Sequence, residues 1–153
     1  MPLEFHQKTF GMLRLKPEIC PKRSAELRSR EAVLGRKFPK SVFEFFSLKD
    51  AEQIFERNTN ADTLVPIEEL GTFLEPRQLD HGWLCVASEN QGVVHWMVRL
   101  GHGENIEDPE TWDTQDSWPV WDDDADLPID DYQNIDWNLC ADSFSDFIFE
   151  MLS

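Results

Sequence analysis

The chain has 153 residues, 41% of them hydrophobic, with eleven Phe and six Trp, and this excludes a chain that is disordered throughout. The whole net charge of −16 lies after Arg99: residues 1–99 carry 14 basic and 14 acidic side chains, and residues 100–153 carry 16 acidic and no basic ones. Such a negative region disfavours direct nucleic-acid binding. No secretory leader and no apolar stretch of membrane-spanning length is present, so we expect a cytoplasmic protein without membrane contact.

The first half of the chain is predicted to be helical. A helix over 22–34 is expected to begin with Ser24 as its cap and to end at Gly35. Pro39 opens a second helix, since proline is well tolerated at a first helical position, and Asp50 begins a third. Apolar side chains recur at helical spacing in the last two and predict core faces: Phe38, Val42, Phe45 and Phe46, then Ala51, Ile54 and Phe55.

The middle of the chain is predicted to be a sheet. Residues 64–67 indicate a short edge strand, because Pro66 cannot donate to a central ladder. Two apolar runs of strand length, 83–87 and 93–100, are joined by a turn-rich segment at 88–92, which is typical of an antiparallel hairpin.

The acidic third is predicted to be rich in loops, with short strands at 117–121 and 132–137. It ends in a helix that begins after Ser143, with Asp146 three residues on as in a capping box. Four apolar residues then follow helical spacing: Phe144, Phe147, Ile148 and Met151. The element order predicts one α+β domain over 22–153, an antiparallel sheet packed against N-terminal helices and a C-terminal helix, preceded by an N-terminal arm over 1–21.

Catalytic motifs are missing from the sequence. It has no Gly-x-Ser-x-Gly elbow, no His-Glu-x-x-His and no phosphate-binding glycine pattern, so we predict that the protein is not an enzyme. An enzyme of unrecognised type is an alternative that would need a carboxylate beside His81, His95 or His102 in a pocket.

The three cysteines are too widely spaced for a disulfide framework or a zinc knuckle and are predicted to be reduced thiols: Cys20, Cys85 and Cys140.

A dedicated metal site is not predicted either. Asp122, Asp124 and Asp126 fit the first three ligand positions of an EF-hand calcium loop. Leu127 then stands where that loop needs glycine, and Gln133 stands where it needs a bidentate glutamate. Weak adventitious calcium binding is left as an alternative. We expect no metal and no cofactor.

Tryptophans are interleaved with the acids of the last third, which contains four of the six. Large aromatic rings are costly to leave in water, so they either cover a folded surface or contact a partner, and a negative surface attracts basic proteins. The alternative is that the acids are solvated loop residues that keep the protein soluble. The partner-binding candidates are Trp112, Trp118, Trp121, Asp122, Asp123 and Asp124.

Four segments, taken in order, carry a family resemblance. They are Leu34-Gly35 with Phe38-Pro39, Glu89-Asn90-Gln91-Gly92 with His95-Trp96, Asp108-Pro109 with Trp112, and Trp137 with Ser143-Phe144-Ser145-Asp146-Phe147-Ile148. Their order and spacing resemble the SUKH superfamily, the family of the yeast cell-wall-synthesis regulator, over about residues 22–152.

The resemblance implies an α+β fold without a required cofactor or an established enzymatic activity. It implies that bacterial members are commonly immunity proteins, which bind and neutralise a cognate toxin that is often a nuclease. A basic toxin domain is therefore the expected partner. The alternative is a regulatory or scaffold adaptor that binds a cellular protein, as the eukaryotic relatives do.

Overall fold

Helices precede an antiparallel sheet in the computed structural model, which describes residues 3–114 and 137–153, and a further helix follows it. The helices of the described part are α1 (Gln7–Leu13), α2 (Pro21–Leu34), α3 (Lys40–Phe46), α4 (Ala51–Arg57) and α5 (Phe144–Leu152). Its strands are β1 (Thr63–Leu64), β2 (Trp83–Ser88), β3 (His95–Arg99), β4 (Thr111–Asp113) and β5 (Asn138–Ala141), adjacent in that order. The predicted α+β class is confirmed.

Helix α2 begins earlier than predicted. Pro21 is its first residue and Cys20 its N-cap, because the fixed φ of proline suits the first helical turn. Ser24 is not the cap: its N–H already donates to the Cys20 carbonyl at 3.0 Å. The predicted end is confirmed, since Gly35 adopts the left-handed conformation at φ 67° that glycine permits at a helix end.

The apolar faces predicted for the next two helices are confirmed as core. Pro39 is the N-cap of α3, which begins one residue later, and Asp50 is the N-cap of α4. The predicted core residues are buried, apart from Ile54, which is half-buried: Phe38, Val42, Phe45, Phe46, Ala51 and Phe55. Phe45 also contacts Phe144 of α5, with ring centroids 6.5 Å apart, so α3 is joined to the closing helix.

The predicted hairpin is formed by β2 and β3. Trp83 lies opposite Arg99 and Ser88 opposite His95, with a bulge between Cys85 and Ala87. The edge strand β1 covers Thr63–Leu64 instead of the predicted 64–67. Pro66 lies outside β1 and is followed by a 3₁₀ turn at Ile67–Glu69. The strands predicted at 117–121 and 132–137 lie outside the described residues, apart from Trp137, which lies just before β5. Strands β4 and β5 were not predicted.

The two faces of the sheet have different surroundings. Trp96 of β3 packs against Phe147 of α5, with ring centroids 5.8 Å apart, so this face bears the closing helix. Its neighbour Met97 points to the opposite face, where Cys85 and Trp112 lie directly across from it. The predicted cap of α5 is confirmed, since the Ser143 hydroxyl accepts from the Asp146 N–H at 3.1 Å.

The segment predicted as an N-terminal arm contains α1 from Gln7 on. Phe10 of α1 is buried in the core. The backbone N–H groups of Glu4, Phe5 and His6 donate to the Glu44 carboxylate at 2.8, 2.9 and 3.0 Å. The Glu44 carboxylate of α3 therefore holds the chain just before α1. It accepts hydrogen bonds from backbone N–H groups that would otherwise have to bond to water.

A buried carboxylate joins the loop before β4 to the start of α5. Asp108 is 7% exposed and accepts hydrogen bonds from the Ser145 N–H at 2.9 Å and the Ser145 hydroxyl at 2.6 Å. Because the N–H groups of a first helical turn have no partner within the helix, this carboxylate supplies one from another part of the fold.

We expect Asp108→Ala to lower the free energy of unfolding by about 1–2 kcal/mol, since it leaves the half-buried Ser145 N–H and hydroxyl without the carboxylate that accepts from them. Chemical denaturation would measure the loss. The control is Glu107→Ala, which removes a more exposed carboxylate 3.9 Å from Lys40 and should cost less than about 0.5 kcal/mol. Equal losses in both variants would contradict the role given to Asp108.

Candidate functional site

Three tryptophans meet near one end of the sheet. Trp83 of β2 is fully buried and has Trp112 and Trp137 in edge-to-face contact, with centroids 6.2 and 4.8 Å away. The Arg99 guanidinium lies 4.8 Å from the centre of the Trp83 ring, a cation–π geometry. Trp83, Trp112, Trp137 and Arg99 are called the tryptophan cluster below.

Trp112 is the one predicted partner-binding residue that lies within the described part of the chain. It is half-buried on β4, and its indole N–H donates to the Glu110 carboxylate at 3.2 Å. The other candidates lie outside the described residues: Trp118, Trp121, Asp122, Asp123 and Asp124. These five residues belong to the segment between Thr114 and Trp137. Trp112 precedes that segment in the sequence and Trp137 follows it, so two members of the tryptophan cluster flank it.

The partners of Trp112 in this cluster were not predicted from the sequence. The sequence indicates only that Trp83 belongs to a strand and that no lysine or arginine follows Arg99. The sequence indicates the hairpin of 83–87 and 93–100 but not its register, which depends on a bulge between Cys85 and Ala87. That register places Trp83 directly opposite Arg99. The pairing of β3 with β4, which brings Trp112 alongside, had no sequence signal.

A negative surface is formed by the described residues that follow Arg99. Seven of their eight carboxylates are exposed or half-buried, and the eighth is the buried Asp108. The seven are Glu104, Glu107, Glu110, Asp113, Asp142, Asp146 and Glu150. They are called the acidic surface below. No lysine or arginine follows Arg99, and Glu107 pairs with Lys40 from an earlier part of the chain at 3.9 Å.

His95 forms a buried pair with Ser88, its cross-strand neighbour. The Ser88 hydroxyl lies 2.8 Å from the His95 Nδ1, and the two residues are 8% and 6% exposed. Burial lowers the pKa of His95, although a hydrogen bond to the Gly92 backbone and the charge of Glu89 oppose this. A serine and a histidine at this distance can form a nucleophile and a base, but a substrate would have to reach both atoms. Their burial favours a structural pair.

The thiols are poorly suited to nucleophilic chemistry. Burial raises the pKa of Cys85 to about 12. Burial, and then the negative charge of Asp113, raises the pKa of Cys140 to about 12. Since the thiolate is the reactive form, neither side chain is activated at neutral pH. In this structure Cys20, Cys85 and Cys140 are all free.

Among residues 3–114 and 137–153, no group of three or more His, Cys, Asp or Glu side chains is placed to hold a metal ion. Within the same residues, no helix has the length and apolar character needed to cross a membrane. No family model matches the chain, and searches of curated proteins and of solved structures find no similar protein.

Proposed function

We propose that this chain is a non-catalytic protein-binding domain, and more specifically an immunity protein of SUKH type that neutralises a basic toxin domain. One observation carries the binding role: the acidic surface, with seven accessible carboxylates, belongs to the same part of the chain as the half-buried Trp112. The toxin as partner is supported by the resemblance of the four ordered segments to the SUKH superfamily.

Electrostatics favour this class of partner. A surface of one sign attracts a partner of the other and raises association rates by about 10- to 1,000-fold at low salt. A toxin that cleaves nucleic acid must carry a basic groove for the phosphate backbone, and an acidic inhibitor can occupy that groove. An aromatic residue such as Trp112 supplies the apolar contact on which tight interfaces depend.

The partner can be identified by affinity capture from the native host, with the bound protein identified by mass. Recovery of a basic toxin domain, and restored growth when both are co-expressed, would support the proposal. Recovery of a cellular protein that is not a toxin would overturn it in favour of a regulatory or scaffold adaptor. Turnover of a substrate by the isolated chain would overturn its non-catalytic part.

We predict that Asp122→Lys, Asp123→Lys and Asp124→Lys together slow association with the captured partner by about tenfold at low salt. The reason is that the reversal removes negative charge from the part of the chain where all of the excess lies. Stopped-flow association measured over a range of salt concentrations tests this. The difference between variant and wild type should shrink as salt increases.

A matched triple variant separates local from overall charge. Glu26, Glu56 and Glu68 are exposed and lie before Arg99, and changing all three to lysine alters the net charge by the same amount. We expect this control to slow association less than the aspartate triple variant. If both triple variants slow association equally, steering by the acidic third of the chain is wrong.

A further inference from the structure

A polar cleft of about 830 Å³ lies on the side of the molecule where α4 ends. Its walls are the segment that follows α4, the turn between β2 and β3, and the last turn of α5. The turn contributes Glu89, Asn90 and Gln91, which belong to the segment predicted as the turn of the hairpin. Trp96 also lines the cleft, is half-buried, and packs against Phe147.

Hydrogen bonds fix two of the walls to each other. The Asp62 carboxylate accepts from the Asn90 N–H at 3.0 Å, and the Asn60 carbonyl accepts from the Asn90 side chain. The Thr59 hydroxyl, next to Asn60, donates to the Phe55 carbonyl at the end of α4, at 2.9 Å. The cleft is therefore built on bonded backbone, and a ligand would not have to order it.

Charge in the cleft favours a cation. Asp62, Glu89 and Glu150 line it, against the single guanidinium of Arg57 among its described lining residues. The cleft also includes the last residues of α5, where helix carbonyls carry partial negative charge. Three carboxylates and a helix C-terminus together outweigh one arginine.

We infer that this cleft receives an arginine side chain from an extended segment of a partner protein. A guanidinium plane can stack on the Trp96 indole while its several N–H groups donate to Glu89 and Glu150. A lysine ammonium has no such plane. The inference rests on the proposed function for its partner, since a basic toxin domain supplies such side chains. The cleft shares Glu150 with the acidic surface but does not include Trp112.

The probe is the peptide acetyl-Gly-Arg-Gly-amide, titrated into the full chain while the ¹H–¹⁵N signals of the six tryptophan indoles are followed by NMR. We expect saturable shifts of the Trp96 signal. The same peptide with citrulline in place of arginine keeps the shape and removes the charge, and it should give none. Equal shifts with both peptides, or shifts confined to other tryptophans, would overturn the inference.

Variants test the contacts. Glu89→Gln with Glu150→Gln should weaken peptide binding by about threefold or more. Trp96→Phe keeps an aromatic ring and should weaken it less than Trp96→Leu does, with peptide affinity followed by the shifts of backbone amides in the 89–92 turn. The control is Glu26→Gln with Glu68→Gln, which removes the same charge away from the cleft and should leave binding unchanged.

The two proposals can fail separately. If a basic partner is captured but the peptide does not bind the cleft, the arginine site is wrong and the proposed function stands. If the peptide binds as expected but no toxin is captured, the arginine site stands and the proposal of a toxin as partner is wrong.

Discussion

Trp83→Ala is expected to lower the free energy of unfolding by about 3–5 kcal/mol, the usual cost of removing a large buried aromatic side chain. Trp83 is fully buried, and its ring contacts Trp112, Trp137 and the Arg99 guanidinium. Its removal leaves a cavity at the centre of the tryptophan cluster. Equilibrium denaturation followed by circular dichroism, rather than by tryptophan fluorescence, measures the loss without depending on the ring removed.

Trp112→Ala is the matched comparison, because Trp112 belongs to the same cluster but is half-buried. We expect it to cost about 1–2 kcal/mol, in the ordinary range for a partly buried side chain. The proposed function adds a second expectation: Trp112→Ala should weaken partner binding more than its effect on stability accounts for. If Trp112→Ala destabilises the fold as much as Trp83→Ala does, Trp112 is a core residue and not a partner-binding one.

Stability is expected to fall as the pH drops below about 6.5, and His6 is the main reason. His6 is 0% exposed, with its ring 5.2 Å from that of Phe45 and 5.8 Å from that of Phe144. Its Nε2 lies 2.8 Å from the Ser41 carbonyl oxygen, which can only accept, so Nε2 carries the proton. Within the described residues the Nδ1 atom is buried and has no hydrogen-bond partner.

Burial lowers the pKa of His6 below 6.5, although the Ser41 carbonyl and the charges of Glu44 on α3 and Asp108 in the loop before β4 oppose this. The unfolded chain therefore binds a proton at a pH where the folded chain does not. The stability due to neutral His6 is present above the unfolded pKa of about 6.5 and is lost as the pH falls from there to the lower folded pKa. Between the two pKa values the free energy of unfolding falls by about 1.4 kcal/mol per pH unit.

Denaturation of wild type and His6→Gln across this pH range tests the assignment. Glutamine keeps an N–H donor for the Ser41 carbonyl but does not titrate, so the variant should lose much of the acid dependence. The remaining acid dependence of stability is expected to come from His95, because burial lowers the pKa of this histidine as well. A His6→Gln profile as steep as that of wild type would rule out His6 as the main source.

Several elements could be predicted because their signals are local. The closing helix could be predicted from the Ser143 cap and from apolar residues at helical spacing. Such spacing places these residues on one face of the helix, which packs on the core. The β2–β3 hairpin was located by two apolar runs around a turn-forming segment. Helix α1 was not predicted because seven residues are too few to carry a clear helical pattern, and the chain just before it is held by Glu44 of α3.

The grouping of the functional residues could not be predicted, because it depends on contacts between distant parts of the chain. Glu89 and Glu150 line one cleft only because the β2–β3 turn and the end of α5 come together in the fold. Trp112 joins Trp83 only through the pairing of β4 with β3, and β4 is too short to carry a periodic pattern.

Residue types and their spacing over a few positions are enough to predict the α+β class, the hairpin and the closing helix. The restriction of net negative charge to the residues after Arg99 can be counted directly. Three features became known from the folded chain alone: the burial of His6 beside Phe45, the bonding of Asp108 to the first turn of α5, and the edge-to-face contact of Trp83 with Trp112. Burial and partner geometry set the energy of each of these groups, and both arise only when the chain is folded.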